Sequence, residues 1–336
     1  MAIDPALRNR LTLPAICAPM FMVTGPALVR EACKAGVIGA LPRQNSRTFE
    51  EFEQHLRDIR RDLDAHALTH PGTRIAPIAV NLSRRLPGDQ LDEHLRTCRR
   101  YGVDIIISAT GDPTELIQHA HAHGAQVFHD VTTLHHAEKA IRAGVDGLTC
   151  IGAGGGGHSG TISHLALIPR IREIFDGTIV MAGAVSTGAA IRAAEILGAD
   201  LAYLGTRFIA TKEASVDPRY KELLVSQTST DLLYTGRITG VPANWMKATM
   251  VSQGLDPNAL PQPTQKMGSD HLPEHVKPWK NLWSAGQGVD LIHDIPSVAD
   301  LVLRLRREYV AACEVPDMAK AARLAEQAHD AARVAA

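Results

Sequence analysis

Apolar runs of four to seven residues recur along the first two thirds of the chain, each followed by a longer segment whose apolar positions fall at helical spacing. Bounded by Gly, Pro or Asp, these runs predict eight strands: Ala15 to Met20, Val37 to Leu41, Ile75 to Asn81, Asp104 to Ala109, Gln126 to Asp130, Gly147 to Cys150, Thr178 to Ala182 and Leu201 to Leu204. Helices are predicted between them, at Pro26 to Ala35, Thr48 to His66, Gln90 to Tyr101, Pro113 to His123, Leu134 to Ala143, Ser163 to Phe175 and Thr187 to Leu197. Gly36, Gly144 and Gly198 follow three of these helices and fit left-handed C-caps. Eight strand–helix units within about 210 residues predict an α/β fold closed as a (βα)8 TIM barrel in preference to an open doubly wound sheet.

The rhythm then changes. From Lys212 to Gly288 the alternation is lost, Pro, Gln, Thr and Lys become common, and all three tryptophans (Trp245, Trp279, Trp283) occur. A smaller, mainly helical insertion over 212–289 is the expectation, with 1–211 and 290–336 forming the barrel and its closing helices. Val298, Leu301, Val302, Leu305, Tyr309 and Ala312 share one face at helical spacing, and the Ala-rich tail from Met318 to Ala336 predicts a further helix.

Composition narrows the classes. With 35 basic and 36 acidic residues the net charge is -1, so no sequence-wide attraction to nucleic acid or anionic lipid is expected. No apolar run approaches the roughly 20 residues that span a bilayer, and the first residues lack a secretory pattern, which makes the cytoplasm the expected location. Five scattered cysteines (Cys17, Cys33, Cys98, Cys150, Cys313) without CxxC spacing fit buried free thiols better than disulfides or zinc. His129 beside Asp130 finds no third ligand at convincing spacing, so no metal is expected.

Between predicted strand six and its helix lies Gly152-Ala-Gly-Gly-Gly-Gly-His158-Ser-Gly160, six glycines in nine residues delivering one histidine. Such a backbone admits a flat ligand closely, and His158 is the side chain there able to exchange a proton near neutral pH. Its place at a strand's carboxyl end is where barrels of this kind perform chemistry. After strands seven and eight come Ala182-Gly183-Ala-Val-Ser-Thr-Gly188 and Gly205-Thr206-Arg207, loops suited to holding a phosphate. One such glycine would more simply permit a tight turn; two loops at the two expected strands favour phosphate. No Rossmann unit opened by a GxGxxG fingerprint and no P-loop is read.

Ala18-Pro19-Met20, Val80-Asn81-Leu82, the glycine–histidine loop, Ala182-Gly183, Leu204-Gly-Thr-Arg-Phe208 and Trp283-Ser-Ala-Gly-Gln-Gly288 together resemble the nitronate monooxygenase family, formerly 2-nitropropane dioxygenases. The resemblance implies FMN held noncovalently in a TIM barrel, and oxidation of alkyl nitronates with O2 to a carbonyl compound and nitrite through a flavin semiquinone. It places Pro19, Met20 and Phe21 under the flavin ring, Asn81 and Ser83 near its polar edge, Gly156 and Gly157 beside it, and Ala182, Gly183, Gly205 and Thr206 at the phosphate. Gln287 would reach the flavin from the returning segment. Asp130 stands where some members carry a lysine near the flavin. His158 is the expected catalytic residue, as a base toward neutral nitroalkanes or, protonated, as a nitronate-binding group.

Blander roles compete for several residues. Arg207 suits a structural ion pair as well as a phosphate or substrate contact, Trp245 suits a core, and Cys17 and Cys150 suit space filling. An NAD(P)H-dependent flavin reductase of enoyl thioesters or quinones is the alternative activity, and a non-catalytic flavin-binding protein the third reading. The expected partners are a small-molecule substrate and O2, with the chain a monomer or homodimer.

Overall fold

The computed structural model describes residues 3–83, 86–265 and 267–314, with six isolated positions beyond. The helix expected over 318–336 falls mostly outside the described residues; those described within it, 322, 323, 325–327 and 333, are helical. Eight parallel strands close into a barrel: β1 Ala15–Cys17, β2 Ile38–Pro42, β3 Ile78–Asn81, β4 Val103–Ser108, β5 Gln126–Val131, β6 Gly147–Ile151, β7 Thr178–Ala182 and β8 Leu201–Leu204. The last pairs with the first through Ala15 and Ala202, Ile16 and Tyr203, and Cys17 and Leu204. All eight predicted strands are present. The first is shorter than expected because Pro19 has no N–H to give a ladder, and Ala18 to Met20 become the exit turn.

Two concentric cores follow from strand alternation. Ile16, Ile38, Ala40, Ala79, Ile105, Ile107, Phe128, Val180 and Leu201 fill the barrel's interior. Alternate positions such as Val80, Ile106, Val127 and Leu148 pack outward against the helices. A short helix unseen in the pattern, α1 Pro5–Asn9, adds Leu7 to the interior cluster, joined there by Ile3 and Leu11. Its five residues are too few for a periodic signal.

The surrounding helices are α2 Pro26–Lys34, α3 Phe49–Thr69, α4 Gly88–Arg100, α5 Thr114–Ala122, α6 Leu134–Ala143, α7 His164–Arg172 and α8 Gly188–Leu197. Gly144 and Gly198 adopt the left-handed C-cap conformation predicted for them. After β8 come α9 Thr206–Ile209, α10 Pro218–Ser226, two antiparallel strands β9 Leu232–Thr235 and β10 Ala243–Met246, and α11 Lys247–Ser252. The segment expected to be mainly helical thus carries a strand pair, since Leu232 to Tyr234 and Asn244 to Met246 are apolar or β-prone runs too short to oppose a turn-rich background. It has its own core around Trp245, with Ile238, Met250, Leu260, Val276 and Leu282.

α12 Val298–Cys313 returns to the barrel, burying Val298, Leu301, Val302 and Leu305 as the spacing predicted. It lies so close to α8 that a Cβ on Gly188 would stand 2.1 Å from the Leu305 carbonyl. Glu308 accepts the Gly188 amide at 2.7 Å, so the α8 N-terminus is already served by a carboxylate from α12.

Candidate active site

The carboxyl ends of the strands open onto one cavity of about 790 Å3. Of the predicted site residues, Pro19, Met20, Phe21, Asn81, Asp130, Gly156, Gly157, His158, Ala182, Gly183, Gly205 and Thr206 line it. Ser83 and Gln287 do not. Ser83 lies past the end of β3, one residue beyond buried Leu82. Gln287 is exposed, and its backbone amide ties the returning segment to the Gly154 carbonyl at 2.8 Å. Arg207 is also outside the cavity, 2% exposed, with Nη2 donating to the Ala210 and Asp294 carbonyls, which makes it structural.

The glycine run is held from both sides. Asn244 on β10 donates through Nδ2 to the Gly155 carbonyl at 2.7 Å, and the Gln287 amide of the returning segment donates to the Gly154 carbonyl at 2.8 Å. A Cβ on Gly156 would stand 2.9 Å from the Gly286 nitrogen, so the close approach of these segments requires glycine there. Gly183 has φ +121, a conformation that L side chains rarely adopt. Gly152, Gly154 and Gly157 do satisfy the GxGxxG spacing, yet the chain continues into a two-residue strand, Gly157–His158, and α7 begins only at His164. It therefore opens no Rossmann unit.

His158 packs edge-on against Trp279, with ring centroids 5.6 Å apart, and its Nε2 lies 3.1 Å from Thr239 Oγ1. Burial holds its imidazole below the ordinary value, so the neutral form prevails at neutral pH. Opposite, Asn45 accepts the Met22 amide at 2.7 Å and donates to the Met20 and Thr24 carbonyls, fixing the turn that carries Pro19 to Phe21. Trp283 stacks on Tyr220 at 4.8 Å and joins Trp279 in the wall, whereas Trp245 is fully buried in the core predicted for it.

Pattern reading missed Tyr203, Asn45, Thr239 and Asn244. Tyr203 was legible as the last inward position of β8; the other three act through loop contacts that have no sequence period. Backbone strain marks the same region. Thr110, Ala184 and Trp279, three of the four non-glycine residues with positive φ among those described, line the cavity.

The donor set suits a flat, hydrogen-bonding ring ending in a phosphate. Asp130 Oδ1, Thr149 Oγ1 and Ser159 Oγ are buried without a hydrogen bond of normal geometry, while Gly183, Ser186, Gly205 and Thr206 converge at the ends of β7 and β8. Among the described residues no helix is long and apolar enough to cross a membrane, and no group of three metal-ligating side chains gathers.

The chain is 26% identical to a nitronate monooxygenase from Paraburkholderia phytofirmans over 350 residues, covering 88% of this chain and 92% of that protein. It is 26% identical to a 5-hydroxy-7a-methyl-1-oxo-octahydro-1H-indene-4-carboxyl-CoA dehydrogenase from Rhodococcus jostii, over 71% of this chain and 64% of that one. With another relative, from Mycobacterium tuberculosis, the match spans 43% of the relative's length, so the chain covers less than two thirds of both. In three dimensions it superposes on the nitroalkane oxidase from Streptomyces ansochromogenes with a TM-score of 0.71 at 22% identity, covering 91% of this chain and 98% of that one. The nitronate monooxygenase family profile matches residues 7–308. With a closed barrel beneath it and a half-buried histidine on its glycine loop, the chain belongs to the nitronate monooxygenase family.

Proposed function

We propose that this protein binds FMN and oxidises alkyl nitronates, and neutral nitroalkanes after deprotonation, with O2 to a carbonyl compound and nitrite. The observation that carries the reading is His158: a neutral imidazole on a glycine loop at the rim of a cavity walled by Met20, Phe21, Trp279 and Trp283. FMN, when bound, supplies the acceptance of electrons and their delivery to O2. Gly183, Ser186, Gly205 and Thr206 would hold its phosphate. Pro19, Met20, Phe21, Asn81, Gly156 and Gly157 would enclose its ring. A single phosphate cluster, with no Rossmann unit among the described residues, supports FMN over FAD.

His158 takes the α-proton of a neutral nitroalkane at its unprotonated ring nitrogen. Toward a preformed nitronate it only positions the substrate, whose α-proton is already gone. Trp279 and Trp283 exclude water from the reacting carbon. In this reading residues 1–211 and 290–336 form the cofactor-holding body and 212–289 the cover over the substrate.

Reductive chemistry on enoyl thioesters or quinones with NAD(P)H is the second reading. It is favoured by the likeness to a CoA-thioester dehydrogenase and by the cavity's extension to Thr132, His136 and Lys139 at α6. Anaerobic mixing of the FMN-loaded protein with ethylnitronate or propionate 3-nitronate, and separately with NADH or NADPH, distinguishes the two. Bleaching by a nitronate, with nitrite release once air is admitted, is expected. Bleaching by NAD(P)H alone would overturn the nitronate reading.

A further inference from the structure

Asp130 is the last inward-facing residue of β5, in register with Thr149 of β6, and it lines the cavity together with Asn81 of β3 and Tyr203 of β8. Its Oδ1 is buried and makes no hydrogen bond of normal geometry; the Thr149 hydroxyl across the ladder is the neighbouring polar group and offsets only part of the cost of burial. Among the described residues no cation pairs with it, although 18 ion-pair contacts occur elsewhere in the chain, including one for buried Asp200 with Arg172. A carboxyl left in such a place would be a costly defect if its only role were structural.

We propose that Asp130 is a proton-holding group in the wall of the cavity that would hold the flavin: it would take a proton from solvent when a bound flavin is reduced and return it when the flavin is reoxidised. Added electrons place negative charge beside a carboxylate that no cation offsets. Protonation of Asp130 would remove that repulsion and leave a carboxyl able to donate a hydrogen bond into the cavity. In turnover the electrons come from the nitronate and leave to O2; the proton comes from water and goes back to it. The inference rests on the flavin reading above.

The surroundings are consistent with a carboxyl near its switching point. Burial pushes Asp130 up to about 7, with the Thr149 hydroxyl pulling weakly the other way. The ionisable groups facing it supply no compensating charge. Tyr203 is raised by burial and by Asp130 itself, and so is Cys150 of β6, where Arg172 opposes the rise; both stay neutral. His129, the preceding residue, is engaged through Nδ1 with Ser108 Oγ of β4 at 2.7 Å. Cys17 of β1, itself raised by burial, raises Tyr203 in turn, and His158, His136 and Lys139 line the cavity without an ion pair to Asp130.

The test is a count of protons taken up when FMN-loaded protein is reduced anaerobically by dithionite in weak buffer with a pH indicator. At about pH 8 wild type should take up close to one proton more per flavin than Asp130→Asn, and at about pH 5.5, where the carboxyl is protonated in both redox states, the difference should vanish. The midpoint potential should fall by up to about 30 mV per pH unit more steeply in wild type than in the variant above neutrality. Equal proton counts at both pH values would overturn the proposal. Should Asp130→Asn fail to hold FMN, the infrared difference spectrum of wild type decides: a protonated-carboxyl band must appear on reduction at the higher pH, and its absence refutes the role. Failure of wild type to bind FMN would instead sink the flavin reading.

Discussion

Thr239 Oγ1 stands within hydrogen-bonding distance of both His158 Nε2 and the Val241 carbonyl. The hydroxyl of Thr239 has one hydrogen, and it is donated to the Val241 carbonyl at 3.1 Å. With that hydrogen on Val241, the hydroxyl oxygen accepts from an Nε2–H imidazole 3.1 Å away, the arrangement that leaves Nδ1 with the lone pair. The side chain that supplies this contact sits 81 residues downstream of the histidine, in the segment inserted after the barrel.

Removing the contact should cost catalysis more than binding. Thr239→Val is expected to lower kcat for neutral nitroalkanes about tenfold, well short of the 10²–10⁴ range of a lost general base. Preformed nitronates should be affected much less, since no proton is taken from them. Parallel O2-uptake assays with the two substrate forms check this, and equal losses on both would mean that Thr239 serves only to hold the loop.

The pH profile carries a sign. Burial lowers the His158 pKa, so the base form survives to lower pH than a free imidazole would allow. The acidic limb of kcat/KM for a neutral nitroalkane should therefore fall below pH 6.5, the ordinary histidine value. His158→Asn should abolish that limb, keep FMN bound, and lower nitroalkane turnover by about 10²-fold or more. A limb above the ordinary value would assign the titration to another group.

Gly205 and Gly183 separate a ligand effect from a folding effect. A Cβ on Gly205 meets nothing nearer than Met20 Sδ at 3.5 Å, which is ordinary contact, and its φ is negative. Gly205→Ala should leave the melting temperature of the apoprotein unchanged while weakening FMN binding about tenfold, because the added methyl crowds the phosphate's approach. Gly183→Val should destabilise the apoprotein itself, since its φ of +121 excludes a branched side chain. Unaltered FMN affinity in Gly205→Ala would place the phosphate elsewhere.

The barrel was legible because each strand is a short apolar run between turn residues and each helix has a stripe of matching period. Val298, Leu301, Val302 and Leu305 are buried where that period puts them. That His158, Gly183 and Gly205 line the cavity was legible for a related reason, as rare residue types concentrated at strand ends. Thr239 and Asn244 were not, because a single hydrogen bond across 81 or 89 residues leaves no pattern in the chain. The α8 N-terminus misled in the opposite direction. The sequence Ser186-Thr187-Gly188 has the look of a helix start offered to an anion, but Glu308 of α12 already accepts the Gly188 amide and Thr187 caps Ala190.

Asn244 provides the most stringent check on how the inserted segment shapes the site. Its side chain is 2% exposed and gives its Nδ2 to the Gly155 carbonyl, at the middle of the glycine run. Asn244→Ala leaves that carbonyl without its partner, which should cost about 1–3 kcal/mol of stability. It also releases a run of glycines whose backbone has the largest entropy to regain, so amide exchange over 152–158 should accelerate. FMN affinity should fall as well, because the enclosing conformation of Gly156 and Gly157 must then be paid for on binding. Asn244→Asp is the sharper variant: a carboxylate facing the same carbonyl offers no donor and adds repulsion, so it should be worse than alanine on all three measurements. Wild-type exchange over 152–158 in both variants would show that the Gln287 amide on the Gly154 carbonyl holds the loop without Asn244.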